Sequence, residues 1–232
     1  MDRNPILCAI DTQDLARAQQ LIAAIARGVG GVKLGLEFFA AHGPDGIRAA
    51  AGGQKNVFLD LKLHDIPNTV AGAVKSSLAL DPLLMTIHCA GGPAMMRAAV
   101  EARGSARTKI VGVTVLTSLD DSDLAATGQA GPAAEQVQRL ALLAKANGLD
   151  GVVCSPQEVA MLRKICGPDF ILVVPGIRPA GAAVGDQKRV QTPRDAVAAG
   201  ATYLVIGRPI TEASDPAAAA QAILAEIADP RK

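Results

Sequence analysis

Eight short runs rich in Val, Ile and Leu recur along the chain, each followed by a stretch of helical character, many of them Ala-rich. No other feature restricts the fold as tightly, because parallel strands need long crossovers and a helix is the usual crossover. The runs fall at residues 5–11, 31–36, a third opening at Asn56, then 83–89, 109–116, 151–154, 170–174 and 203–206. Eight such units predict an α/β fold, a single-domain (β/α)8 TIM barrel over residues 1–232, a usual length for one barrel domain. An open doubly wound sheet is the alternative, but no GxGxxG follows the first strand to support dinucleotide binding.

Local signals punctuate the helices. Asp14 is placed to cap a helix through about Ala26, with Leu15, Ala18, Leu21, Ile22 and Ile25 at helical spacing. Ser155, Pro156 and Glu158 form a capping signature, and Gly148 marks a helix end. Aromatic residues are few, with four Phe, one Tyr and no Trp, which argues against a base-stacking platform for single-stranded nucleic acid. A net charge of +1 supplies no field to gather nucleic acid or an acidic membrane. Cys8, Cys89, Cys154 and Cys166 form no CxxC pair and read as small hydrophobes in a reducing compartment. With no signal-like opening and no apolar run long enough for a bilayer, a cytoplasmic location is expected.

The chemistry concentrates in NVFLDLKLHDIPNTV, residues 56–70. Alternation along a strand puts Asp60 and Lys62 on one face and Leu59, Leu61 and Leu63 on the other, with Asp65 just past the strand end. Charges emerging from a buried strand are costly unless they pair or do chemistry. A salt-bridged strand end is the plain reading of this segment by itself. Active sites of these barrels form at the C-terminal strand ends, where this chain also carries Asp11, Lys33, His88, Thr117, Ser155 and Gly207-Arg208. Ser155 is read as a helix cap, and His42 as a surface residue. Asp11, Lys33, Asp60 and Lys62 would bring balanced charges from three successive strands to one mouth.

The long Gly-rich loop after the seventh strand carries Arg178, Gln187, Lys188 and Arg189, and Gly207-Arg208 follows the eighth. Loops at these two positions often build a phosphate site in such barrels. Gly207 would let a phosphate oxygen approach the backbone, and Arg208 would offer a fork of donors.

The run DLKLHDIPNT, residues 60–69, resembles the signature of the orotidine 5′-phosphate decarboxylases, and the resemblance extends over nearly the whole chain through GVKLG, VTVLTS, GLDGVVCS, PGIRP, GDQKR and VIGRPI. It implies conversion of orotidine 5′-phosphate to UMP and CO2 with no metal and no organic cofactor. Lys62 would be the proton donor, with Asp60, Lys33 and Asp65 completing a charged array. Asp65, Ile66 and Thr69 would act across the interface of a homodimer with shared sites. Asp11 and Lys33 would hold the ribose, Thr117 and Ser118 the pyrimidine, and Arg178, Gln187, Gly207 and Arg208 the phosphate.

Two further readings compete. One is a Mg2+-dependent sister enzyme on the same scaffold, a keto-sugar-phosphate decarboxylase or hexulose-phosphate aldolase, sharing the Asp-x-Lys-x-x-Asp core. The other is a barrel that binds a nucleotide phosphate as a sensor without turnover. A metal held by His64, His88, Asp60 and Asp65 is disfavoured by Lys62, whose charge would oppose a cation.

Overall fold

Parallel pairing runs unbroken from each strand to the next and from the last back to the first. The computed structural model describes residues 4–54, 56–179 and 191–228. The strands are β1 (Ile6–Ala9), β2 (Gly31–Gly35), β3 (Val57–Leu63), β4 (Leu84–His88), β5 (Lys109–Val113), β6 (Gly151–Val153), β7 (Ile171–Val174) and β8 (Tyr203–Ile206). They close in sequence order into a barrel, with Cys8 beside both Val32 of β2 and Ile206 of β8. Around it lie α1 (Leu15–Ile25), α2 (Leu36–Ala51), α3 (Pro67–Ser77), α4 (Gly92–Arg103), α5 (Asp121–Ala126), α6 (Ala133–Ala146), α7 (Val159–Cys166), α8 (Pro193–Ala198), α9 (Arg208–Thr211) and α10 (Pro216–Ala228). The predicted (β/α)8 barrel is the observed fold.

Alternation along the strands divides the apolar residues into two buried layers. Leu7, Ala9, Phe58, Leu84, Val173 and Val205 meet inside the barrel. Their neighbours Ile6, Cys8, Leu59, Met85, Leu172 and Leu204 face outward onto the helices, meeting Ile22, Ile25, Phe38 and Met96. The same parity sends Lys33, between outward-facing Val32 and Leu34, into the barrel at the C-terminal end of β2.

The opposite end of the barrel is fastened by polar contacts. Asp150 accepts from the Arg103 guanidinium at 2.7 Å, the Lys109 ammonium at 3.0 Å and the Ile110 N–H at 2.9 Å. Arg163 donates to the carbonyls of Gly167, Pro168, Phe170 and Gly200, joining the approaches to β7 and β8. These contacts lie away from the mouth where the charged side chains gather.

The structure refines several expected boundaries. Helix α2 is kinked at Gly43, where φ is 59°, immediately before Pro44. Proline removes a backbone donor and glycine tolerates the positive φ, so the axis bends there. The Ser155 signature opens a 3-10 turn over Pro156–Glu158 before α7 begins, and Glu158 Oε2 accepts the Ser155 N–H at 2.7 Å. Three short helices, α5, α8 and α9, were not foreseen. They span six, six and four residues, too few to establish an apolar period.

Candidate active site

Four charged side chains from the ends of β1, β2 and β3 form one alternating row. Lys33 Nζ lies 3.0 Å from Asp11 Oδ1 and 3.8 Å from Asp60 Oδ2, and Lys62 Nζ lies 2.9 Å from the same Asp60 oxygen. Asp60 and Lys33 are buried, Lys62 is partly covered, and Asp11 opens to solvent. Gly35 makes room for the row: a Cβ there would stand 3.0 Å from Lys33 Nζ. Burying a carboxylate costs several kcal/mol, and hydrophobic replacements of buried ion pairs are often neutral or stabilising. The row is therefore poorly explained by stability alone.

Lys62 reaches Asp60 by a route that simple alternation does not describe. Leu59 pairs with Met85 and Leu63 with Ile87, so four steps along β3 match two along β4. The extra length is taken up in a bulge where Lys62 has φ 51°, a left-handed conformation costing a non-glycine residue about 1–2 kcal/mol. Bulges re-aim side chains beside active sites. The Lys62 N–H donates at 2.8 Å to the hydroxyl of Thr86, which in turn donates at 2.9 Å to Asp60 Oδ1.

A cavity opens directly over this row, lined by Lys33, Asp60, Lys62 and Thr117 together with an apolar wall that includes Phe58, Val113, Leu116 and Val205. Ser118 is exposed and is not part of that lining. Asp65, Ile66 and Thr69 are also exposed, and Asp65 makes no ion pair among the described residues; its Oδ1 accepts the Ile66 N–H at 2.6 Å. Within one chain, then, Asp11 joins the row and Asp65 stands outside it.

At the expected phosphate end, the Arg178 N–H donates to the Gln191 carbonyl at 3.0 Å, and the Arg178 guanidinium donates to its neighbour Ile177 at 2.9 Å. Burial, and then the nearby positive charge of Arg208, pull the Arg178 guanidinium below its usual basicity. Gly207 sits at the start of α9, where a Cβ would come within 3.3 Å of the Ala9 Cβ. Gln187, Lys188 and Arg189 lie outside the described residues. The His64 and His88 rings lie 5.4 Å apart, and His88 is drawn below its usual value of 6.5 by burial first, then by His64 and Lys62. No group of three or more His, Cys, Asp or Glu suited to a metal occurs among the described residues.

A family model, orotidine 5′-phosphate decarboxylase / HUMPS, matches the chain over residues 4–223. The chain belongs to that family. Among similar proteins, orotidine 5′-phosphate decarboxylase of Rhodospirillum rubrum is 53% identical over 98% of this chain and 95% of its own. The enzyme of that name from Thermobifida fusca is 54% identical over 96% of this chain and 95% of its own. The crystal structure of orotidine 5′-phosphate decarboxylase from Lactobacillus acidophilus superposes with a TM-score of 0.86 at 38% identity, covering 97% of this chain and 100% of that one.

Within this orotidine 5′-phosphate decarboxylase / HUMPS member, sequence reasoning missed the apolar cavity wall and Thr86. Phe58 and Val205 read as ordinary core residues, and only their position at the mouth distinguishes them. Thr86 is the lone polar residue inside the run LLMTI, a signal that indicates a buried hydroxyl without naming its partner.

Proposed function

We propose that this chain decarboxylates orotidine 5′-phosphate, giving UMP and CO2, without a metal or an organic cofactor. The observation carrying this reading is the alternating row of Asp11, Lys33, Asp60 and Lys62 beneath a partly apolar cavity, in a chain of this family. In the reaction, the bond from C6 to the carboxylate breaks, its electron pair stays on C6, and CO2 leaves neutral. No carbonyl or imine is placed to delocalise that pair, so charge develops locally. The Lys62 ammonium stabilises it and transfers a proton to C6, and the lysine is then reprotonated from solvent. Asp60, 2.9 Å from that ammonium, also stands where a substrate carboxylate would meet like charge, a repulsion relieved as CO2 departs.

The remaining assignments follow the same reading. Asp11 and Lys33 hold the ribose hydroxyls, and Thr117 with Ser118 addresses the pyrimidine. Arg178, Gln187, Gly207 and Arg208 grip the phosphate; the Arg208 charge that lowers Arg178 basicity fits a dianion site there. Asp65, Ile66 and Thr69 complete the neighbouring site of a homodimer. In support, Ile66 is 66% exposed, the most exposed large apolar side chain among the described residues. No described helix is long and apolar enough to cross a membrane.

The test is incubation with orotidine 5′-phosphate, followed by ultraviolet absorbance as UMP forms, with and without excess chelator. Equal turnover in both is expected. Binding without conversion would favour the sensor, and activity abolished by the chelator would favour Mg2+-dependent sister chemistry.

A further inference from the structure

Thr86 is fully buried in β4, opposite the bulge of β3. Its hydroxyl can give one proton and accept others, and both uses are taken: it donates to Asp60 Oδ1 at 2.9 Å and accepts the Lys62 N–H at 2.8 Å. Lys62 Nζ returns to the other Asp60 oxygen at 2.9 Å. Lys62 backbone, Thr86, Asp60 and Lys62 ammonium thus form a closed ring of three hydrogen bonds.

We propose that Thr86 is a positioning residue for the decarboxylation, its hydroxyl holding the Lys62 backbone in the left-handed turn and the Asp60 carboxylate in the orientation that meets the Lys62 ammonium. The inference rests on Lys62 being the proton donor. Thr86 is not among the residues lining the cavity, so its influence passes through Lys62 and Asp60. Where the β3–β4 register shifts, the hydroxyl supplies the partner for the Lys62 N–H. A valine of the same shape would leave that N–H and Asp60 Oδ1 each short of a bond. The turn at φ 51° would lose a contact that holds it, and the ammonium would drift. The phosphate end is built on other strands and would keep its grip.

The experiment compares Thr86→Val and Thr86→Ser with the parent, reading kcat, KM and UMP affinity. Thr108→Val serves as the control, because Thr108 is also buried and donates to the Pro82 carbonyl at 2.8 Å, away from the row. For Thr86→Val, kcat is expected to fall about 30- to 100-fold, the scale of an ångström's misplacement, with KM and UMP affinity little changed. Thr86→Ser is expected to recover most of kcat, and Thr108→Val to lose stability but not kcat. If Thr86→Val does not fold, Thr86→Cys, with its weak donor, takes its place in the comparison. A kcat within about twofold of the parent, equal loss in the serine and valine variants, or a change confined to KM would overturn the inference. An inactive parent would overturn the functional reading and this inference together; an active parent with an unaffected Thr86→Val would overturn this inference only.

Discussion

At 8% exposure Asp60 has lost most of its water, and two ammonium groups and the Thr86 hydroxyl replace it. Removing Lys62 leaves that carboxylate with Lys33 at 3.8 Å and Thr86 at 2.9 Å, so the fold is expected to survive the loss. Lys62→Ala is accordingly expected to lower kcat by at least about 10³-fold while UMP affinity changes only a few-fold. Steady-state assays and UMP titration check both; a variant retaining most of its rate would remove Lys62 from the chemistry. His88 gives a pH signature. Burial first, then the charges of His64 and Lys62, lower its basicity, against an opposing pull from Asp60. The native state therefore binds a proton at His88 less readily than the unfolded chain does. The stability this confers is fully present above pH 6.5 and is lost as pH falls through the lowered native value. Thermal melts from about pH 7 to about pH 5 are expected to show a shallower decline for His88→Gln than for the parent. Parallel declines would show that His88 does not carry the linkage.

Among the elements, β3 shows where pattern reading succeeds and where it stops. Alternation turned Leu59 and Leu61 toward the helices, but the Asp60–Lys62 contact it led one to expect is made through an irregular backbone. It did not foresee the bulge, because a register shift depends on what the adjacent strand offers. Asp150, just before β6, shows what polar contacts do at the other end, where no substrate is proposed to bind. It gathers two cations and a backbone N–H from α4 and β5. Asp150→Ala is expected to cost about 2–4 kcal/mol, since it strands a largely buried Arg103, and to leave kcat unchanged. Denaturant melts beside the absorbance assay check this. A loss of kcat with unchanged stability would place Asp150 in the active-site machinery instead.

For the whole molecule, closure from β8 onto β1 is what brings Gly207 within reach of Ala9 and the row led by Asp11. The exposed segment of Asp65, Ile66 and Thr69 takes no part in its own row, and the proposed homodimer makes it part of the neighbour's site. Mixed Lys62→Ala and Asp65→Ala proteins are therefore expected to recover activity, up to about a quarter of the parent's sites at random exchange. Each hybrid dimer would hold one site with both residues intact. No recovery after verified subunit exchange would refute the shared site.

The order of the strands and their main crossover helices, the faces of β3 up to its bulge, and the charged residues at the mouth were legible in the sequence, because each follows from periodicity or from the cost of burying charge. Closing the barrel decided the rest. It set Lys33 between Asp11 and Asp60, left Asp65 outside the row of its own chain, and let the charge of Arg208 be felt at Arg178. It also put Thr86 beneath a strained Lys62. Those are contacts between residues distant in the chain, and local pattern carries no record of which distant partner a side chain will meet.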